Sequence, residues 1–132
     1  MDWQRSQCAG EDAGAVGRIA GNEAVRFDDE GFRMILIVGT VRLPSERIEV
    51  ARPIMATMVE ASRAEAGCLE YCYAEDLFDP GLIHVKERWV DRKSLEEHFM
   101  SPHLADWRAN WPSLGISDRN LHLYEVGEPA SI

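Results

Sequence analysis

Two hydrophobic periodicities alternate along the chain. A spacing of three and four after Pro44 predicts an amphipathic helix, and a second helix is expected after Val90. Apolar residues at every second position are typical of strands and occur in four segments: 34–43, 68–74, 82–90 and 120–126. The order β-α-β-β-α-β predicts an α+β fold, a ferredoxin-like antiparallel sheet with two helices on one face.

Residues that favour helix ends place the boundaries of the second helix. It begins either at Ser94, which has capping-box spacing with a glutamate three residues later, or one turn earlier at Asp91. Ser101 followed by Pro102 interrupts this helix and restarts it as a second piece. We expect 111–115 to be a loop before the last strand.

Both faces of the predicted sheet are apolar. In 34–43 the two alternating sets of side chains are each mainly apolar, whereas two helices cover only one face. The second face would expose more apolar surface than a soluble monomer usually shows. A second copy packed sheet against sheet would cover it. We therefore predict a homodimer whose sheets enclose a barrel-like core, a dimeric α/β barrel.

One face of the strand at 82–90 carries a carboxylate among apolar residues. Glu87 shares this face with Trp89, and an unpaired carboxylate there would cost several kcal/mol or stay protonated. It therefore needs a partner. Glu87 either orients His98 as an acid–base pair or binds an arginine, such as Arg108 or Arg88 of the partner subunit.

Composition and charge narrow the class of protein. The 132 residues, 45% hydrophobic and 28% charged, describe one soluble domain, and the net charge of -9 argues against a nucleic-acid partner. No apolar run approaches the ~20 residues that span a bilayer, and no secretory signal is apparent, so we expect a cytoplasmic protein without a membrane partner. Cys68 and Cys72 lie about 13 Å apart along a strand, too far for a disulfide.

We interpret the first 33 residues as a leader that precedes a domain at 34–132. The segment 1–33 contains five of the ten glycines and no sustained periodicity, which is typical of a flexible segment. Within it, 24–32 reads as strand, turn and strand. The leader can therefore also be interpreted as packed on the core or on the partner subunit.

Part of the chain resembles a known family, the antibiotic biosynthesis monooxygenases. These are dimeric α/β barrel proteins that include cofactor-free quinol and anthrone oxygenases. The resemblance covers about 34–126 and implies a dimer with a pocket between sheet and helices in each subunit. It rests on four elements: Glu65-x-Gly67-Cys68-x-x-Tyr71, Asp79-Pro80, Glu87-x-Trp89 and His98-x-x-Ser101-x-His103.

The resemblance does not fix one reaction, because the same fold also serves haem degradation and isomerisation. Aligned on the strand and helix that carry the motifs, the proximal histidine of the haem-degrading branch falls near Arg108, and its pocket asparagine falls near Val41. Neither residue suits those roles, so we expect no haem.

Cofactor-free oxygenation needs a dry pocket for an aromatic ring and dioxygen, and a base that forms an electron-rich substrate anion. His98 is the predicted base because imidazole titrates near neutrality, with Glu87 as its catalytic partner. The predicted substrate-binding residues supply flat rings or polar tips: Trp89, His103, Tyr73, Trp107 and Tyr124. The prediction is a cofactor-independent monooxygenase of a phenolic, quinol or anthrone-like molecule.

Two alternatives use the same pocket. In the first, His98 and Glu87 move a proton between carbons of a small hydroxyketone, as an isomerase would. In the second, the dimer binds a small molecule without turnover, and a pocket filled by packed side chains would favour it.

A metal site is not predicted. His98 and His103 lack the spacing of four residues found in helical metal motifs, and His84 points away from Glu87. No glycine-rich motif for a nucleotide cofactor is present either. We therefore expect no metal and no cofactor.

Overall fold

A computed structural model describes residues 33–132, and the predicted strand pair at 24–32 lies outside them. The strands are β1 Met34–Arg42, β2 Cys68–Glu75, β3 Leu82–Trp89 and β4 Ser117–Val126. They form one antiparallel sheet in the order β2-β3-β1-β4, which confirms the ferredoxin-like prediction.

The helices connect these strands on one face of the sheet. A 3₁₀ turn at Ser45–Arg47 leads into the first helix, and none of the helices in 33–132 has the length and apolarity to cross a bilayer. The helices are α1 Ile48–Arg63, α2 Arg92–Phe99, α3 Pro102–Ala109 and α4 Trp111–Leu114.

Side-chain caps fix the break between α2 and α3. Asp91, the earlier of the two predicted positions, caps α2 by accepting a hydrogen bond from Ser94 N at 2.8 Å. Ser101 caps α3 and Pro102 occupies its first turn, as predicted. Each cap is satisfied locally, so α2 and α3 are two separate helices although only Met100 and Ser101 lie between them.

The core lies between the helices and one face of the sheet. The predicted stripe of α1 is buried there, as are Ile35 and Ile37 of β1 and Ile83, Val85 and Trp89 of β3. Burial of each such large side chain contributes about 1.5–3 kcal/mol. The apolar residues Met34, Leu36 and Val38 lie on the opposite, outer face of the sheet and stay partly exposed in the single chain.

Three details differ from the sequence-based expectations. Residues 111–114 form the short helix α4 rather than a loop, because Pro112 suits its first turn and Gly115 ends it in the left-handed conformation (φ +77°). Strand β4 begins at Ser117 rather than Asn120, since Ser117 pairs with Arg42 beyond an irregularity in β1.

The third difference is a β-bulge at the start of β2. Cys68 pairs with Trp89 and Glu70 pairs with Arg88, so Leu69 is an extra residue without a direct partner. Leu69 is therefore 47% exposed, although strict alternation would place it with the buried Tyr71. Cys68 and Cys72 are both free thiols, as the distance between them predicts.

Candidate functional site

The centre of the site is His98, in the last turn of α2. Its side chain is fully buried, and its Nδ1 lies 2.7 Å from Oε2 of Glu65. Glu65 follows the end of α1, 33 residues earlier in the chain. A hydrogen bond of this length to a carboxylate holds the imidazole in one orientation.

The same carboxylate oxygen binds a second histidine. His103 Nε2, from the first turn of α3, lies 2.6 Å from Glu65 Oε2. The side chains of Glu65 and His103 are 18% and 20% exposed, so this end of the cluster reaches solvent. Glu65 thus connects a buried histidine with one at the surface.

The remaining nitrogen of His98 faces the interior. Burial lowers the pKa of His98 below its ordinary value, although the nearby Glu65 carboxylate opposes this. The neutral ring donates its Nδ1 hydrogen to Glu65, so Nε2 keeps a lone pair. The Tyr71 hydroxyl lies 3.5 Å from this Nε2. A buried base with a defined tautomer therefore points at a phenol.

Glu87 is not the partner of His98, which corrects the predicted acid–base pair. Its Oε1 accepts a hydrogen bond of 2.9 Å from the Trp89 indole nitrogen. Arg88 is not its partner within the chain either, because Arg88 lies on the outer face and binds Glu70 at 3.0 Å. Burial raises the pKa of Glu87 to about 7, an effect that hydrogen bonds from Trp89 and Tyr71 oppose.

A narrow cavity lies beside this cluster, between the sheet and the helices. Its volume of about 10 Å³ is close to the minimum that admits one water molecule. Tyr71 forms part of its wall, whereas His98 does not touch it. The other residues that line it are Val41, Tyr73, Leu104, Trp107, Trp111, Ile116, Arg119 and Leu121. An aromatic ligand can enter only after some of these side chains move.

The structure brings together some of the predicted substrate-binding residues and separates others. Tyr73 and Trp107 line the cavity and pack edge to face, with ring centroids 6.1 Å apart. Trp89 is buried behind it against His98, at 4.6 Å between centroids, and His103 binds Glu65 outside it. Tyr124 pairs with Leu36 on the outer face and is 49% exposed, so it lies away from this group.

Of the three histidines considered as metal ligands, one lies apart and two lie close together. His84 lies on the outer side of the sheet and binds Asp76 at 2.8 Å, so it is separate from the cluster, as predicted. His98 and His103 nevertheless meet, because Glu65 joins them. The ligand atoms of Glu65, His98 and His103 all lie within 4.8 Å of one another.

Two residues of the site were not among the predicted site residues. These residues are Glu65 and Tyr71. Both stand in the element Glu65-x-Gly67-Cys68-x-x-Tyr71 that the chain shares with the family it resembles. That shared element was the available signal.

Comparison with known proteins agrees with the fold. Residues 34–110 match the family model described as antibiotic biosynthesis monooxygenase. A crystal structure from Deinococcus radiodurans, provisionally named an antibiotic biosynthesis monooxygenase, is 28% identical and superposes with a TM-score of 0.69, covering 74% of this chain and 97% of that one.

Two relatives by sequence add little about activity. The uncharacterized protein sll1783 of Synechocystis is 24% identical over 98 residues, which is 74% of this chain and 67% of that protein. The Mycobacterium tuberculosis protein Rv0793, provisionally named a monooxygenase, is 38% identical over 58 residues, or 44% of this chain and 56% of that protein.

Proposed function

Because the chain belongs to the antibiotic biosynthesis monooxygenase family, we propose that it is a cofactor-independent monooxygenase of a phenolic, quinol or anthrone-like small molecule. Dioxygen is the second substrate. One of its oxygen atoms becomes bonded to a ring carbon of the substrate. With an anthrone, the CH₂ carbon becomes C=O, and the second oxygen atom leaves as water together with the two hydrogens of that carbon.

The observation that carries the proposal is the orientation of His98. Glu65 fixes its Nδ1, and its Nε2 faces Tyr71, which forms part of the cavity wall. A substrate hydroxyl in the cavity gives its proton to the Tyr71 oxygen while Tyr71 gives its own proton to His98. The resulting substrate anion supplies the electrons that dioxygen accepts.

The pKa of Tyr71 suits this relay, whereas its distance from His98 has to shorten. Burial and the neighbouring Glu87 raise the pKa of Tyr71 well above its ordinary value, so the phenol stays neutral between transfers. The separation of 3.5 Å from His98 Nε2 is long for proton transfer. It must shorten by about half an ångström when ligand binds, as unliganded catalytic hydrogen bonds often do.

The test is oxygen consumption by purified, metal-stripped protein with hydroquinones and anthrones. Uptake that depends on the reduced aromatic supports the proposal. No uptake with any reduced aromatic would contradict it, and proton exchange in a hydroxyketone without oxygen uptake would favour the isomerase instead.

The narrowness of the cavity favours a second candidate, a dimer that binds a small molecule without turnover. Side chains leave only about 10 Å³ between them. Ligand binding that quenches tryptophan fluorescence, unaccompanied by chemical change, distinguishes this candidate from the oxygenase.

We also propose that the protein is cytoplasmic and forms a homodimer. Its two copies pack against each other through the outer faces of their sheets. Leu36 lies on a central strand of that face and remains partly exposed. Replacing it with aspartate places an unpaired charge in the apolar contact, and burying such a charge is costly. We expect Leu36→Asp to be monomeric by sedimentation velocity at a concentration where the wild type is dimeric.

The matched control is Val50→Asp on helix α1, where the side chain is 54% exposed and lies away from the sheet. This variant should remain dimeric. A Leu36→Asp variant that sediments like the wild type would rule out the outer face as the interface.

A further inference from the structure

Three side chains with the chemistry of metal ligands converge at the edge of the core. Glu65 follows α1, His98 ends α2 and His103 begins α3, and their ligand atoms lie within 4.8 Å of one another. Within residues 33–132 this is the one such group of three or more histidine, cysteine or acidic side chains. The proposed function uses two of them and leaves His103 without a role.

We propose that Glu65, His98 and His103 form a site for one borderline divalent transition-metal ion, such as Zn²⁺, in each chain. Two imidazole nitrogens and one carboxylate oxygen are a ligand set that holds zinc with a further position open to water. The set contains no sulfur, so it does not favour soft ions such as Cu⁺.

Hydrogen bonds of the Ser101 side chain fix the chain segment between the two histidines. Ser101, between them, donates its hydroxyl hydrogen to the His98 carbonyl at 2.7 Å and accepts from Leu104 N at 3.3 Å. Both ring nitrogens contact the same oxygen of Glu65, so they already face one point. To admit an ion, only the Glu65 carboxylate has to move aside, which its partly exposed side chain allows.

The surroundings also suit a metal site. The partial exposure of Glu65 and His103 gives an ion a route from solvent. The second nitrogen of His98 faces the Tyr71 hydroxyl, and a hydrogen-bonding group at that position commonly orients a metal-binding histidine. The excess of acidic side chains in the whole chain, 23 against 14 basic ones, favours cations near its surface.

Ion binding would alter the proposed base. His98 can coordinate through Nδ1 only if its hydrogen moves to Nε2, the nitrogen that faces Tyr71. The lone pair that accepts a proton is then absent. A bound ion and the base function of His98 are therefore mutually exclusive, and the site goes beyond the proposed reaction rather than serving it.

The experiment is titration calorimetry of the full chain with Zn²⁺, together with visible spectra of Co²⁺ as a probe of coordination. The test variants are His103→Asn and Glu65→Gln, whose side chains are partly exposed, with thermal melts to confirm folding. The matched control is His84→Asn, because His84 also binds a carboxylate at 2.8 Å but belongs to no group of three possible ligands within residues 33–132.

We expect one ion per wild-type chain and an affinity at least about tenfold weaker in His103→Asn and Glu65→Gln, with His84→Asn unchanged. Absence of binding at ~1 mM Zn²⁺ would overturn the proposal. So would binding that both test variants retain, or binding that His84→Asn loses. None of these readouts depends on turnover, so they stand apart from the test of oxygenation.

Discussion

Replacing His98 with glutamine is expected to lower the turnover number for oxygen uptake by about 10²- to 10⁴-fold, the usual contribution of a positioned general base. Glutamine can still donate a hydrogen bond to Glu65, but its amide cannot accept the proton that Tyr71 passes on. The cavity wall does not include His98, so KM should change little. An oxygen electrode with the best reduced aromatic substrate measures both constants.

The matched control is His84→Gln, which removes a histidine on the other face of the sheet. It should retain wild-type activity. Thermal melts must show that His98→Gln is folded, since the wild-type side chain is fully buried. A folded His98→Gln variant with wild-type turnover would exclude His98 as the base, even if the protein proves to be an oxygenase.

Replacing Glu87 with glutamine is expected to make the protein more stable than the wild type at alkaline pH. Burial raises the pKa of Glu87 from an ordinary 4.5 to about 7 in the folded chain. Below pH 4.5 the carboxyl is protonated in both folded and unfolded states. As the pH rises towards 7, only the unfolded chain loses this proton, so the free energy of unfolding falls.

The loss amounts to about 3 kcal/mol above pH 7, because each unit of pKa difference corresponds to about 1.4 kcal/mol. Glutamine has no such proton and can still accept the hydrogen bond from Trp89. Urea unfolding at about pH 5 and about pH 8, at one protein concentration, should show the difference between variant and wild type growing with pH.

Glu97→Gln is the control for this measurement. The Glu97 side chain is 63% exposed and forms an ion pair with Lys93 on the surface of α2. Its stability difference from the wild type should change little with pH. If the stabilities of wild type and Glu87→Gln depend on pH in the same way, Glu87 has its ordinary pKa in the folded protein. A raised pKa and a neutral buried Glu87 would then be excluded.

The strands and their buried faces followed from local pattern. In β3, alternation predicted that Glu87 and Trp89 share one face, and both are buried there. The side chains of neighbouring positions on a strand point to opposite sides, so the pattern needs no knowledge of the rest of the chain. The prediction failed at Leu69, where a bulge adds one residue that only the pairing with β3 reveals.

The candidate site was predictable in part. His98 and Glu87 were identified as unusual because of their positions, and both are buried polar groups. Their partners were not predictable, because the sequence left Glu87 between His98 and an arginine. Glu87 binds the nearby Trp89 within its own strand, whereas His98 binds Glu65 from another helix end. Spacing along a sequence cannot rank such contacts when several carboxylates are available.

The sequence by itself determined the order of strands and helices, the cap at Ser101 and the apolar character of both sheet faces, because these depend on residues close together in the chain. Only the tertiary structure decided that Glu65 joins His98 and His103, and that Tyr71 stands between His98 and the cavity. Those contacts arise where α1, α2 and α3 pack over the sheet, and packing brings together groups up to 38 residues apart.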